Sequence, residues 1–208
     1  MIEYKLNNNS GKARLGEINL NGHIIETPCF MPVGTAATVK TLSASEVSNF
    51  GYKIILANTF HLMLRPGVNI VSKHGGIHEF MKWDGAIITD SGGYQVFSLA
   101  KLRKITKDGV HFRSPIDGSK VYLDSKISIG LQEKFNSDII MQFDECTPYP
   151  ADKVTTEKSL DLSLIWGKES KNSITKDSSC SNCSHFGRES CSRPNEASNA
   201  MVCFDWKK

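Results

Sequence analysis

Three short apolar runs, each ending in polar residues, constrain the fold of this 208-residue chain more than any other feature. They are KIILANT at 53–59, AIITD at 86–90 and DIIMQFDE at 138–145. Helical patterns separate them, including an apolar residue at every fourth position over 127–135. Short buried strands that alternate with helices are typical of βα units around a parallel sheet. The sequence therefore predicts an α/β fold.

The number of such strands limits the architecture. About four can be placed between residues 20 and 170, one of them within 23–33, whereas a closed (β/α)8 barrel has eight strands and typically about 250 residues. We therefore expect an incomplete (β/α)8 TIM-type barrel, about the first half. Two extended runs around a Pro-Ile-Asp-Gly turn predict a β-hairpin inserted between 98 and 124. Ser43 and Glu46 have capping-box spacing, which predicts a short helix ending at Gly51.

The C-terminal part has a different composition. From about residue 170 the chain is rich in Ser and Asn and has no apolar period, which predicts a domain over 1–170 and an irregular tail over 171–208. One CxxC with a nearby histidine is half of a zinc site, but a second close pair of cysteines is missing. We expect an unordered terminus without metal, with zinc binding as the alternative. The potential ligands are Cys180, Cys183, His185, Cys191 and Cys203.

Composition excludes several classes of protein. Hydrophobic residues make up 39% and charged residues 23%, which argues against wholesale disorder, collagen and coiled coil. No apolar run reaches the roughly 18–20 residues of a membrane span, and the start lacks an apolar signal-peptide core, so a cytoplasmic protein is expected. The net charge of +3 leaves a polyanionic partner open. A basic run is either a solvated surface or a phosphate-contacting patch, and it contains Lys101, Arg103, Lys104 and Lys107.

Two carboxylates at predicted strand ends are the strongest candidates for a site. Asp90 ends a buried strand and precedes two glycines, and Asp144 ends the next buried strand. Because strand ends of α/β folds form the ligand-facing rim, both carboxylates could face one pocket. Such a pair suits a ligand edge rich in N–H donors, such as that of guanine. The alternatives are an N-cap of the next helix for Asp90, and a cap or a salt bridge for Asp144.

Neighbouring side chains extend this site. Asn58 is placed to hydrogen-bond a ligand, whereas His61 could bind a ligand or pack. Tyr94 could stack on a planar ligand or pack half-buried. Cys146 is interpreted as a small buried hydrophobe rather than a nucleophile. The chain contains no GxGxxG, GxxxxGK[ST] or HExxH, which argues against dinucleotide, P-loop and zincin chemistry.

Four ordered motifs carry a family resemblance. FMPVGT, NTFHLMLRPG, ITDSGGYQVFSL and FDECTPYPA, spread over about residues 10 to 170, resemble the queuine/tRNA-guanine transglycosylase family. The resemblance implies a (β/α)8 barrel enzyme of queuosine biosynthesis, a pentosyltransferase that exchanges wobble guanine in tRNA for queuine or 7-aminomethyl-7-deazaguanine. It implies a ping-pong reaction, in which an aspartate attacks the ribose C1′ and guanine leaves. It also implies zinc and possible homodimers in the full-length family.

The resemblance also assigns roles to individual residues. Asp90 looks like the proton acceptor and substrate-contacting aspartate, and Asp144 is similar to the aspartate that reads the guanine edge. The rest of the base-binding segment corresponds to Ser91, Gly92, Gly93 and Tyr94. The positions near the ribose correspond to Val33, Asn58, His61 and Gln95.

The sequence departs from the family in its C-terminal part. The nucleophilic aspartate, the later glutamine and glycine of the base pocket, and the zinc module are not recognisable. The tail has the composition that translation in a wrong frame could produce, so we interpret the chain as truncated or frameshifted and expect it to be inactive alone. A non-catalytic remnant or tRNA-binding partner subunit is the alternative. A glycosidase-like barrel that uses two carboxylates is a more remote one.

Overall fold

The computed structural model describes residues 2–99 and 103–175. Over these residues the chain has a mixed α/β fold with three small sheets of three strands each. The strands are β1 Ile2–Ser10, β2 Ala13–Leu20, β3 His23–Thr27, β4 Ile54–Ala57, β5 Ala86–Thr89, β6 Arg103–Ile105, β7 Val110–Arg113, β8 Lys120–Leu123 and β9 Ile139–Ile140. The helices are α1 Ala44–Asn49, α2 Thr59–Leu64, α3 Val68–Lys73, α4 Ile77–Met81, α5 Gly93–Ser98, α6 Ser125–Phe135 and α7 Lys153–Ser173.

The central sheet is parallel and has the strand order β4-β5-β9. Segment 32–34 extends it beyond β4, because Val33 bridges Leu56 in parallel and the Gly34 N–H donates to the Leu56 carbonyl at 2.7 Å. Consecutive chain segments thus lie side by side, as the alternation of apolar runs and helices predicts. The prediction of a mixed α/β fold is confirmed.

The third predicted strand is much shorter than expected. The prediction of a strand over 138–145 is wrong in length, because β9 pairs with β5 through only two residues. Beyond β9, the N–H of Met141 donates to Gln132 Oε1 at 2.8 Å, and the Met141 carbonyl accepts from Gln132 Nε2 at 2.9 Å. A buried side chain of α6 therefore replaces the hydrogen bonds that a longer strand would make.

The N-terminal sheet was only partly predicted. The strand expected within 23–33 is β3, but it pairs antiparallel with β2 in a β1-β2-β3 meander. Nearly every residue of β1 is exposed, so its sequence carries no buried alternation that would identify it. A small apolar cluster joins this meander to the first residues of the three parallel strands. Its members are Leu20, Ile25, Ile54, Ala86 and Ile139. The meander therefore packs at the amino end of the parallel sheet.

Two local predictions are confirmed. The Ser43 side chain accepts from the Glu46 N–H, and the Glu46 carboxylate accepts from the Ser43 N–H, which completes the capping box at the start of α1. Gly51 follows that helix with a φ of +86°. The predicted hairpin is β7 and β8. The strand β6, which lies in the basic run, pairs with β7 as the third strand of this sheet.

The main core lies between the parallel sheet, the inserted sheet and the helices. Of the apolar positions predicted on α6, Leu131 and Phe135 are buried and Ile127 is 37% exposed. The indole of Trp83 donates to the Ala86 carbonyl at 3.1 Å beside β5. The fully buried ring of Trp166 on α7 lies 4.9 Å from that of Phe143. Within 2–99 and 103–175, no helix is long and apolar enough to cross a membrane.

Candidate functional site

Asp90 follows β5 at the carboxyl end of the parallel sheet, where side chains of two helices hold its carboxylate. Oδ2 accepts from the side-chain amides of Asn58 and Gln95, the latter at 2.9 Å. Oδ1 accepts from the Thr59 N–H at 2.8 Å, and the Thr59 hydroxyl donates to the Asp90 carbonyl at 2.6 Å. These bonds fix the position of the carboxylate before any ligand arrives.

The predicted alternative, Asp90 as the N-cap of the next helix, is wrong, because Asp90 bonds to the start of α2 instead. The N-cap of the following helix, α5, is Gly92. Asn58 is the N-cap of α2 but makes no side-chain capping bond, and Asp90 accepts from the first N–H of that helix instead. A carboxylate at a helix N-terminus is stabilised by the exposed N–H groups there. Asp90 therefore links β5 to α2 as well as facing the rim.

Asp144 lies beyond β9 and is connected to the Asp90 segment by Ser91. The Ser91 hydroxyl donates to Asp144 Oδ1 at 3.0 Å and accepts from the Gly93 N–H at 3.2 Å. Desolvation by neighbouring atoms raises the pKa of the Asp144 carboxyl, the Ser91 hydrogen bond lowers it, and the negative charge of Asp90 adds to the rise. Ser91 thus connects the two strand-end segments, and a single pocket shared by both carboxylates stays a prediction.

The two glycines of the SGG segment are required for different reasons. Gly92 has a φ of +83°, a conformation that residues with a Cβ rarely adopt. Gly93 has ordinary backbone angles, but a Cβ there would lie 2.5 Å from the Asp144 carbonyl oxygen and 3.1 Å from its carboxylate. The close approach of the α5 start to Asp144 therefore depends on the absence of a side chain at position 93.

The remaining predicted site residues line the rim without holding the carboxylates. Tyr94 is 66% exposed, Val33 is 48% exposed, and the exposed His61 ring meets Phe60 edge-on at 5.3 Å. In the part of the chain that the structure describes, no hydrogen bond joins these three side chains to either carboxylate. Gln95 differs, because its Oε1 is buried without a partner while its amide nitrogen holds Asp90. The site therefore contains one unused buried acceptor.

Sequence reasoning missed the helix that supports Asp144. Serine hydroxyls on α7 accept from backbone N–H groups on both sides of Asp144: Ser170 from Phe143 at 3.1 Å, and Ser163 from Glu145 at 3.0 Å. A Cβ on Gly167 would lie 2.6 Å from the Gln142 side chain, so this face of α7 approaches closely. Serines at helical spacing from 159 to 170 are the signal that could have identified this contact.

A second group of residues that sequence reasoning missed supports the site from α6. Gln132 is fully buried, and its Oε1 also accepts from the Thr89 hydroxyl at 3.0 Å. The Ser128 hydroxyl donates to the Ser91 carbonyl at 2.7 Å. Because apolar spacing was the criterion for the buried face of this helix, its buried polar residues gave no signal.

The described residues form a wall of the site rather than an enclosed chamber. A cavity lined by Gly93, Phe143, Asp144, Cys146 and Trp166, among others, measures about 10 Å³, which is room for about one water. Desolvation, followed by the charges of Asp144 and Glu145, raises the pKa of the Cys146 thiol, which disfavours a thiolate nucleophile.

The metal ligands that the sequence predicts all belong to the C-terminal part of the chain. Residues 2–99 and 103–175 contain no group of three or more His, Cys, Asp or Glu side chains arranged to hold a metal ion. The predicted tail ligands, Cys180, Cys183, His185, Cys191 and Cys203, lie outside the described residues. So do Lys101 of the basic run and the predicted irregular tail beyond residue 175.

The chain is an α/β protein with acidic and amide side chains at the carboxyl ends of its parallel strands, the position where such folds commonly bind ligands. The chain belongs to the queuine tRNA-ribosyltransferase family, whose model matches residues 9–191. This confirms the resemblance seen in the four motifs. The matched range extends past residue 170, where the sequence predicts a boundary, and α7 extends to Ser173.

Curated relatives agree with this assignment. The chain is 57% identical over 162 residues to a queuine tRNA-ribosyltransferase of Acinetobacter baylyi, covering 78% of this chain and 42% of the relative. It is 52% identical over 182 residues to that of Herminiimonas arsenicoxydans, covering 85% and 48%. For Psychromonas ingrahamii the identity is 54% over 170 residues, covering 82% and 46%. The chain thus spans about half the length of the curated relatives it matches.

Proposed function

We propose that this chain is the base-recognising part of a tRNA-guanine transglycosylase, a pentosyltransferase of queuosine biosynthesis. The whole enzyme would exchange wobble guanine in tRNA for queuine or 7-aminomethyl-7-deazaguanine. In this proposal the parallel segments from 32–34 to β9 are the first strands of an incomplete (β/α)8 barrel, and residues 1–170 with the end of α7 form its N-terminal half. We propose that the protein is cytoplasmic, and that zinc binding and homodimer formation are properties of the full-length enzyme.

The observation that carries this proposal is the connected pair of carboxylates. Asp90 is held by three donors, and Ser91 connects its segment to Asp144. A carboxylate accepts two parallel N–H bonds well, and the edge of guanine offers an N1–H and a 2-amino group. Membership of the queuine tRNA-ribosyltransferase family supports a modified guanine as the ligand.

Each site residue has a proposed role. Asp144 accepts hydrogen bonds from the donor edge of the base, and Asp90 contacts the substrate and accepts its proton. Exposed Tyr94 stacks on the planar ring, since its large apolar face is open to a ligand. Ser91, Gly92 and Gly93 shape the wall that the base contacts. The positions proposed to lie near the ribose are Val33, Asn58, His61 and Gln95.

We further propose that this chain alone does not complete the reaction. The exchange requires a carboxylate that attacks C1′ and forms a covalent glycosyl intermediate. Asp90 is already engaged by three donors and is assigned to proton transfer, and Asp144 is assigned to base recognition. In this proposal the attacking carboxylate belongs to the part of the relatives that this chain does not match, so the chain binds a guanine-like base weakly and does not form the intermediate.

A guanine-exchange assay tests the proposal. Radiolabelled guanine is incubated with unmodified substrate tRNA and three proteins: this chain, the full Acinetobacter baylyi relative, and a chimera of residues 1–170 with the remainder of that relative. We expect exchange with the relative and the chimera but none with this chain. In the chimera, Asp90→Asn should abolish exchange, and Asp144→Asn should weaken base recognition by roughly 1–3 kcal/mol.

Each other result has a defined meaning. A folded chimera that neither binds nor exchanges guanine would contradict the proposed function. Exchange by this chain alone, lost in Asp90→Asn, would place a nucleophile within it. Activity restored by adding the C-terminal part of the relative as a separate chain would favour the alternative role of a partner subunit.

A further inference from the structure

The inserted sheet of β6, β7 and β8 has two faces of opposite character. Lys104 of β6 pairs with His111 of β7, which pairs in turn with Tyr122 of β8. Two residues further along β7, Arg113 pairs with Lys120 of β8. Because side chains alternate along a strand, these five share one face. We call this set the basic face. The opposite face packs into the core through the buried residues Val110, Phe112 and Leu123. The packed side thus holds the basic face rigidly in position.

The basic face lines an open groove of about 430 Å³ whose lining includes no carboxylate. Within 2–99 and 103–175, no ion pair engages Lys104, Arg113 or Lys120. The Arg113 guanidinium donates to the Gly118 carbonyl at 3.0 Å, a bond that leaves its positive charge uncompensated. Three cations on one rigid face with no acidic partner concentrate positive potential there.

The nearest carboxylates flank the groove without lining it, and none of them forms an ion pair with its three cations, although their negative charges reduce the positive potential there. Asp117, in the hairpin turn, accepts from the N–H and the hydroxyl of Ser119 at 3.1 and 2.8 Å. Asp124 accepts from the Ile127 N–H at 2.7 Å as the N-cap of α6. Both carboxylates therefore have local structural roles beside the groove rather than inside it.

The groove lies on the flank of the candidate site. Ile105 and Val110, on the packed face of the sheet, line the same small cavity as Gly93 and Asp144. Arg103 lines both the cavity and the groove, and its guanidinium lies 4.4 Å from the centre of the Phe97 ring on α5. This sheet therefore lies within reach of a polyanion that has one nucleotide at the carboxylates.

We propose that the basic face binds phosphate groups of the substrate tRNA beside the nucleotide that is exchanged; this rests on the proposed function. Lys104, Arg113 and Lys120 provide the positive charges that phosphates require, and they provide them without reading sequence. The rings of His111 and Tyr122 lie 4.6 Å apart on the same face, which offers an unpaired base a surface for stacking. The combination of cations and aromatic rings favours single-stranded or loop RNA as the occupant.

The test compares two triple variants of the whole chain in which the same residue types are lost. Lys104→Gln, Arg113→Gln and Lys120→Gln neutralise the basic face. Lys5→Gln, Lys12→Gln and Arg14→Gln remove the same charge from exposed positions of the N-terminal meander. Binding of fluorescently labelled unmodified substrate tRNA is measured by anisotropy at several salt concentrations.

We expect the basic-face variant to bind tRNA about 10- to 100-fold more weakly near 0.1 M salt, with a log–log salt slope reduced by about 2–3, since each lost phosphate contact reduces the slope by about one. The meander variant should change affinity by less than about threefold. Circular dichroism of both variants should match that of the parent, because all six residues are exposed.

Three results would overturn this inference. They are equal weakening in both variants, unchanged affinity in the basic-face variant, and an absence of tRNA binding by the parent chain. Loss of self-association in the basic-face variant alone, with unaltered tRNA affinity, would identify a second copy of the chain as the occupant. Guanine exchange by the chimera tests the proposed function separately, so activity there combined with any of these results would reject only the basic face.

Discussion

The two strand ends that meet at the candidate site are stabilised in different ways. At the end of β5, the Asp90 N–H still donates to the Ala57 carbonyl at 3.1 Å, so the sheet itself continues to hold the backbone. At the end of β9, side chains of Gln132, Ser163 and Ser170 replace the sheet. The backbone at Asp144 therefore depends on two helices, whereas the backbone at Asp90 depends on its neighbouring strand.

The two carboxylates also differ in how many hydrogen bonds they accept. Asp90 accepts three hydrogen bonds from Asn58, Thr59 and Gln95, whereas Asp144 accepts one side-chain hydrogen bond, from Ser91. An ionised carboxylate has about four acceptor positions, so Asp144 retains more capacity for a ligand. Asp90 is thus held in position before a ligand binds, whereas Asp144 keeps unused positions for accepting hydrogen bonds from a ligand.

The largest expected effect is on stability and comes from Gln132, whose side chain makes the hydrogen bonds that a longer β9 would make. Gln132→Met should lower the free energy of unfolding by about 2–5 kcal/mol, because the Met141 N–H and carbonyl and the Thr89 hydroxyl each lose a bond to Gln132. Urea unfolding followed by circular dichroism measures the change. Lys134→Met, at an exposed position of the same helix, is the control and should change stability by less than about 0.5 kcal/mol. A loss below about 1 kcal/mol for Gln132→Met would show that β9 does not need this side chain.

The next effect concerns the contact between the two strand ends. Gly93→Ala places a Cβ 2.5 Å from the Asp144 carbonyl oxygen and should cost about 1–3 kcal/mol through overpacking. Gly130→Ala is the matched control, because nothing lies within 4 Å of a Cβ there and the helix should gain about 0.5–1 kcal/mol. The same urea experiment measures both variants. Equal stability changes in the two variants would refute the close approach.

A smaller effect is expected from α7. Ser170→Ala leaves the buried Phe143 N–H without its acceptor and should cost about 1–2 kcal/mol. Ser173→Ala, at a half-buried position where the hydroxyl donates only to the Glu169 carbonyl of its own helix, should cost less than about 0.5 kcal/mol. Thermal unfolding of the two variants compares them. If Ser173→Ala were the more destabilising, α7 would not position Asp144 through this face.

The smallest effect is a pH dependence. Because the folded-state pKa of Asp144 is raised, its stability contribution is fully present below the unfolded pKa and is lost as pH rises through the folded pKa. Asp144→Asn should remove that fall in stability, and Ser91→Ala should raise the Asp144 pKa further by removing a bond that lowers it. Carboxyl NMR titration follows the pKa directly. A lower Asp144 pKa in Ser91→Ala would contradict the assigned hydrogen bond.

The difference between the two strand ends also explains what the sequence could predict. Asp90 was identified because an apolar run, a carboxylate and two glycines lie next to each other in the chain. The supports of Asp144 were missed because Gln132 and Ser170 are polar residues on buried helix faces, where apolar spacing carries no information. The strand β1 was missed for a different reason: nearly all of its residues are exposed, so its sequence shows no alternation of buried and exposed residues. Local motifs were therefore predictable, whereas contacts between polar residues distant in the chain were not.

The two buried tryptophans provide separate optical signals, one for β5 and one for the segment after β9. Trp83 bonds to the first residue of β5, whereas Trp166 packs on Phe143 and its indole donates to the Lys107 carbonyl of the inserted sheet at 2.8 Å. The third tryptophan, Trp206, lies outside the described residues and can be replaced by Phe. In that background, Trp83→Phe and Trp166→Phe each leave one emitter. Superimposable fluorescence transitions would mean that both regions melt as one cooperative unit, and separate transitions would mean that the α7 side detaches first.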